Sequence, residues 1–259
     1  MNIIRKLGPR TAVGLFIFAI LPALTVANAN AQPLPTWDHY KVYYQDAPIP
    51  GAYGVTLVDQ FLNFSTTTTS LDWFMNPVDK IDDNGTFLRN NLDLHYTWWR
   101  IPPQPYSNNL VQVANQFGVF LLNVGNAEYL LNPALKDLSE PPTGGLPLEN
   151  HYLCYQCSGP PVDLDVTMVD QFDTYGPVTD PLIPRFLCNP VSKNGSHVPE
   201  PERHYVVYEF TPPDGSGPYL PFYKDQFTTG SLNLSPGQFL AVPSLKQIVP
   251  VELSRFRID

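Results

Sequence analysis

The heptad "VTMVDQF" at 166–172 repeats the "VTLVDQF" at 55–61 with a single change, Leu57 to Met168. Such an echo calls for a search for further copies before any other reading of the chain. The closing block recurs as "DQF" at 59–61, "NQF" at 115–117, and "DQF" at 170–172 and 225–227. Upstream of each stands a His-Tyr pair: "HYKVYY" from His39, "HYTWWR" from His95, "HYLCYQ" from His151 and "HYVVYE" from His204. Downstream stands a third block: "NPVDK" at 76–80, "NPALK" at 132–136, "NPVSK" at 189–193 and the worn "VPSLK" at 242–246. Three blocks in one order, four times, at a spacing of about 55 residues, predict a fourfold repeat.

Each unit reads as a strand around His-Tyr, a second strand ending in Asp/Asn-Gln-Phe, and a third leading into a proline turn at the NPxxK block, with room for a short fourth. The expected fold is all-β, with four repeats forming two β-sandwich or barrel-like domains. A unit of this size buries too little apolar surface to stand comfortably alone, so neighbours should share a core. The segment richest in chain breakers, "DLSEPPTGGLPLEN" at 137–150, is the expected domain boundary, giving domains at 32–143 and 144–259.

The two-residue period of a strand puts Val55, Leu57, Asp59 and Phe61 on one face, and likewise Val166, Met168, Asp170 and Phe172. A polar residue on that apolar face needs a partner. It can cap the N–H groups of the following turn, or meet the His or Lys of the other blocks. Unit two has Asn115 where the others have Asp59, Asp170 and Asp225. An amide accepts hydrogen bonds but cannot act as a general base, so the shared requirement is acceptance, a structural role. The same argument makes His39, His95, His151 and His204, and Lys80, Lys136, Lys193 and Lys246, structural repeat positions, and no catalytic residue is assigned. His197 reads as an exposed loop histidine.

Trp98 and Trp99 fall in the strand columns of Val42 and Tyr43, so Trp98 is expected in the core. Trp73 and Trp99 are candidates for stacking against a ligand. "CYQC" at 154–157 lacks the helix start of a redox motif and the further ligands of a zinc site. Cys154 and Cys188 instead occupy columns holding Val42 and Met75, Trp98 and Leu131, and Val207 and Ala241 in the other units, where a large residue faces a medium one. They are predicted to form a disulfide within unit three, with Cys157 left free or available to another chain.

The first ten residues carry Arg5, Lys6 and Arg10, and lead through "VGLFIFAILPALTVA" to Ala29-Asn30-Ala31. This is the pattern of a secretory signal peptide at 1–31, cut before Gln32. Removing its three basic residues from 15 leaves 12 Lys and Arg against 24 Asp and Glu, a net charge of −12. That charge disfavours nucleic acid and anionic membrane as partners. Twenty-nine prolines argue against long helices. The expected product is an exported protein, periplasmic, extracellular or at the cell surface, with no membrane insertion after signal removal.

The order HYxCY, VTxxDQF, LCNPVxK, carried here by "HYLCYQC", "VTMVDQF" and "FLCNPVSKNG", resembles an uncharacterised family of exported bacterial and archaeal proteins built from tandem copies of one β-domain. The resemblance covers the mature chain and is most specific in unit three, where the family's two cysteines correspond to Cys154 and Cys188. It implies export and architecture, and brings no established activity.

No G-x-S-x-G, H-E-x-x-H or phosphate-binding loop occurs. "DKIDDNG" at 79–85 has the opening of a calcium loop without its first ligand or closing Glu, and neither cofactor nor metal is expected. The leading functional class is a non-catalytic structural or protein-interaction protein, acting on a protein partner or on itself. Alternatives are a carbohydrate-binding module and an enzyme with an unfamiliar site. The last would gather residues that break the fourfold pattern, such as Arg100, Glu128, Arg185 and His197, in one pocket.

Overall fold

The computed structural model describes residues 36–106, 110–212 and 217–247. The signal-peptide expectation at 1–31 lies outside them. The described residues form sixteen strands. They are β1 (His39–Pro50), β2 (Gly54–Val58), β3 (Asn63–Thr67), β4 (Ser70–Asp82), β5 (Gly85–Phe87), β6 (His95–Gln104), β7 (Leu110–Asn115) and β8 (Gly118–Asp137). There follow β9 (His151–Ser158), β10 (Val166–Val169), β11 (Thr174–Val178), β12 (Ile183–Lys193), β13 (His204–Glu209), β14 (Phe222–Lys224), β15 (Thr229–Ser231) and β16 (Leu234–Gln247). The all-β class is as read from the sequence. Among the described residues no helix is long and apolar enough to cross a membrane.

Eight strands close on themselves. Antiparallel pairing runs β1–β4–β6–β8–β9–β12–β13–β16 and back to β1. The circuit alternates a strand that begins at a His-Tyr block with one that carries an NPxxK block or its "VPSLK" counterpart. Closure removes the unpaired edges an open sheet would expose.

The barrel interior is filled in layers. Tyr40, Tyr96, Tyr152 and Tyr205 form a ring of edge-on contacts, with successive centroids 5.5, 5.6, 5.2 and 5.8 Å apart. Such a geometry sets the positive edge of one ring on the negative face of the next, worth about 0.5–1.5 kcal/mol per pair. Above it lie Val42, Trp98, Cys154 and Val207 with Met75, Leu131, Cys188 and Ala241, all buried. The third layer is again aromatic: Trp73, Tyr129, Phe186 and Phe239. The predicted disulfide is present in the middle layer, joining Cys154 to Cys188 directly across the β9–β12 ladder.

The proline blocks do not turn. Pro77, Pro133, Pro190 and Pro243 lie inside β4, β8, β12 and β16, each opposite the tyrosine of a His-Tyr block. At each proline the strand has run past the last paired residue of its other barrel neighbour. The missing N–H therefore removes no ladder hydrogen bond on that side, the setting in which a strand tolerates proline. Beyond the proline the strand end is free to pair anew, and an excursion from two units away docks there. Lys193 of β12 pairs with Leu57 of β2, Lys246 of β16 with Val113 of β7, Lys80 of β4 with Met168 of β10, and Lys136 of β8 with Tyr223 of β14. These excursions cover the outside of the barrel, where Val55, Leu57, Val113, Val166 and Met168 pack on Leu153, Leu187, Val206 and Leu240.

The two-domain division is corrected by this topology. The described residues, from 36 to 247, belong to one compact unit. The strands flanking 137–150, β8 and β9, pair with each other from Asn123↔Ser158 to Leu131↔Tyr152. Separating the halves would open that ladder and the disposition of excursions across the barrel, so the breaker-rich segment is a connection within one core.

Candidate functional site

The side chains of the three blocks meet at the feet of the docked excursions. Asp170 is the clearest case. Its Oδ1 accepts the N–H groups of Phe172 and Asp173 at 2.9 and 3.1 Å, closing the turn after β10. Its Oδ2 accepts the Tyr43 hydroxyl at 2.6 Å and the Asn76 amide at 2.9 Å. Asn76 in turn accepts Lys136 Nζ at 2.6 Å, and that ammonium lies 4.5 Å from the Phe172 ring centroid. Of the alternatives left open by the sequence, the carboxylate takes the turn N–H groups together with a tyrosine and an amide, in place of His or Lys.

The arrangement recurs with variations. Asp59 caps Phe61 and Leu62, and accepts Tyr155 and Asn189, whose oxygen accepts Lys246 at 3.0 Å. Asp225 caps Phe227 and Thr228, and accepts the Trp99 indole at 2.7 Å and Thr97 at 2.5 Å, while Lys193 reaches Asn132 at 2.5 Å. The fourth cluster is inverted. Asn115 replaces Asp and Val242 replaces Asn, so the amide sits on the other strand and donates to Tyr208 at 3.0 Å and Ser244 at 3.2 Å. Lys80, which has no amide at 242 to reach, pairs with Asp82 instead.

These lysines are desolvated. Burial pulls Lys136 and Lys246 down to about 8 and Lys193 down to about 7, partly offset by Asp170, Asp59 and Asp225 respectively, and it lowers Lys80 as well. Each His-Tyr histidine lies beside the lysine of its own unit. Burial, reinforced by Lys80, Lys193 and Lys246, holds His39, His151 and His204 down to about 3, and burial with Lys136 depresses His95 strongly. The histidines are therefore neutral. His39 lies within hydrogen-bond reach of Gln116, His151 of Gln226 at 3.3 Å, and His95 stacks on Phe74.

Trp99 does not offer a stacking surface. It is fully buried, and it stands in the column of Tyr43, Tyr155 and Tyr208 as the donor to Asp225. Trp98 is in the barrel core, as its column implied. Trp73 is half-buried at the third layer, between Tyr44 and Phe239. The "DKIDDNG" segment is the β4–β5 hairpin rather than an ion loop: Asp82 is held by Lys80 and by the Asn84 N–H, and Asp79 by the Arg89 N–H. Among the described residues no cluster of His, Cys, Asp and Glu could hold a metal. Cys157 is free and half-buried against the outer core, and burial pushes its thiol up to about 12.

The two ends of the barrel differ. At the tyrosine end Arg203 donates to Tyr152 at 2.8 Å and pairs with Glu149. At the other end a cavity of about 530 Å³ opens above Phe186 and Phe239, walled by Asn123, Gln156, Cys157, Ser158, Arg185 and Glu209. Arg185 is paired with Glu209 at 2.5 Å. Of the four pattern-breaking residues, Arg185 lines this cavity. Arg100 holds Asp72 at 2.6 Å beside Tyr129 and Glu128, in the strands on the same end but outside the lining. His197 is exposed in the turn after β12, beyond the strand end remote from Arg185. Sequence reasoning missed Gln156, Asn123 and Ser158. Their signal was available for Gln156, which stands in the column of Tyr44, Arg100 and Glu209, a column with no common residue type.

Comparison of the chain with protein-family models, with curated proteins and with solved structures gives no match.

Proposed function

We propose that this chain is an exported, non-catalytic structural or protein-interaction protein, built from four copies of one β-unit and acting in the cell envelope or the extracellular space. One observation carries the reading. The residues with acid–base potential that recur in the sequence are spent on internal contacts: Asp59, Asp170 and Asp225 each accept two turn N–H groups and two or more side-chain donors. Lys136, Lys193 and Lys246 bridge strands, Lys80 pairs with Asp82, and burial keeps the His-Tyr histidines neutral. A general base must be free to approach a substrate proton, and these groups are not. Export is supported by the signal-like leader and the disulfide, a bond favoured in oxidising compartments.

The test is to recover the chain from its own envelope and medium. Its first residue should be Gln32, and cross-linking in place should join it in fixed stoichiometry to a protein partner or to further copies of itself. A turnover activity abolished by one substitution would overturn the reading.

A further inference from the structure

The interior columns of the barrel keep their chemistry in three layers and lose it at one level. Two residues beyond Val42, Trp98, Cys154 and Val207 stand Tyr44, Arg100, Gln156 and Glu209; immediately before Trp73, Tyr129, Phe186 and Phe239 stand Asp72, Glu128, Arg185 and Gln238. Neither set shares a residue type, in contrast to the four tyrosines at the opposite end. Repetition marks what every unit needs in order to fold. Its loss at one end of the barrel marks where a single site can be built.

That end holds the 530 Å³ cavity, within the size range of small-molecule sites. Its floor is aromatic, with Phe186 half-exposed and in edge contact with Phe239, Trp98 and Tyr129. Its wall carries no unpaired charge, since Arg185 and Glu209 neutralise each other. Asn123, Gln156 and Ser158 are exposed, and their side chains make no hydrogen bond within the described residues. The two amides and the hydroxyl each offer a donor and an acceptor. An ionic ligand would meet no unmatched charge here. A ring with one C–H face and vicinal hydroxyls matches both the aromatic floor and the donor–acceptor pairs.

We propose that the mouth of the barrel binds a neutral saccharide, one sugar ring against Phe186 and its hydroxyls on Asn123, Gln156 and Ser158. In the cavity at the other end around Asn76 and Lys136, both of these polar groups are already engaged in the excursion network. The proposal stands independently of the structural reading above, which a glycan-free protein would leave intact.

The mature chain is titrated by calorimetry with hexasaccharides of the cello-, xylo-, manno-, chito- and malto- series. At least one should bind with Kd roughly between 10 μM and 1 mM. Gln156→Ala and Asn123→Ala, which break no internal hydrogen bond, should leave the melting temperature unchanged and each weaken binding about 3–10-fold, the effect of one lost hydrogen bond. Asn84→Ala, on the distant β4–β5 turn, should bind like the parent. Absence of binding to all five series at about 5 mM, far above any useful affinity, overturns the proposal. So does binding that Gln156→Ala and Asn123→Ala leave untouched.

Discussion

Replacing Asp170 by Ala tests whether the repeated carboxylate is a structural acceptor. The change strands four donors: the Tyr43 hydroxyl, the Asn76 amide, and the N–H groups of Phe172 and Asp173. Tyr43 and Asn76 are 0% and 1% exposed, so water cannot replace the lost acceptor. Two orphaned buried donors at about 1–3 kcal/mol each, with about 1 kcal/mol for the lost turn cap, give a loss of roughly 3–7 kcal/mol. For a chain of this size that lowers the melting temperature by roughly 2–4 °C per kcal/mol. Tyr43→Phe alone should cost no more than about 1.5 kcal/mol, because it removes the donor together with its need. In the Tyr43→Phe background, Asp170→Ala should cost about 1–3 kcal/mol less than in the parent, a coupling readable by urea denaturation of the four proteins. If the two changes add within about 0.5 kcal/mol, the hydroxyl and the carboxylate do not depend on each other, and the network described here is wrong.

Substituting both Cys154 and Cys188 by Ala opens a loop of sequence separation 34 and should lower stability by about 3–4 kcal/mol on the chain-entropy model, with the fully buried bond resisting dithiothreitol until denaturant is added. Stability should peak on the alkaline side of neutrality. The folded histidines at about 3 against 6.5 unfolded bind fewer protons than the unfolded chain, so stability is lost as pH falls from 6.5 towards 3. The lysines at about 7 to 8 against 10.5 add stability as pH rises between those values, until the raised tyrosines reverse the slope above 10. Melting temperatures from pH 4 to 11 check this, and a maximum near pH 5 contradicts it. Cys157, pushed up to about 12, should react with a disulfide reagent at pH 8 far more slowly in the folded chain than in denaturant.

The repeated blocks made the all-β class and the disulfide legible, because each block marks one position in the strands: an inward tyrosine, a capping carboxylate, a proline at a strand's overrun. What they could not encode was the partner of each excursion. A pattern local to one unit carries no information about docking two units away, so the two-domain reading followed from composition at 137–150 alone. The proline turn failed for a related reason. Pro77, Pro133, Pro190 and Pro243 look like breakers until the neighbouring strand is known to stop before them. Trp99 misled in the same way, since a tryptophan standing in a tyrosine column serves as the column's donor. At the cavity the sequence pointed to broken repetition and reached Arg185, but the ladder that brings Asn123 opposite Ser158 joins residues 35 apart and was invisible.

The inverted cluster explains why two departures from the repeat, Asn115 and Val242, belong together. In the regular clusters the acceptor is a carboxylate on the excursion and the amide is on the barrel strand, as with Asp170 and Asn76. An amide on both sides would set donor against donor in a buried site, while a carboxylate facing Val242 would lose one of its partners. Moving the amide to 115 and making 242 apolar avoids both, provided a hydroxyl accepts the displaced N–H, and Ser244 does. Lys80 then lacks the oxygen that Lys136, Lys193 and Lys246 use, and Asp82 supplies one from its own strand. Asn115, Val242, Ser244 and Asp82 lie in three different units and form one exchange. That dependence across the barrel is what a single cooperative core requires, and it is the physical reason that Asn115 and Val242 depart from the repeat together.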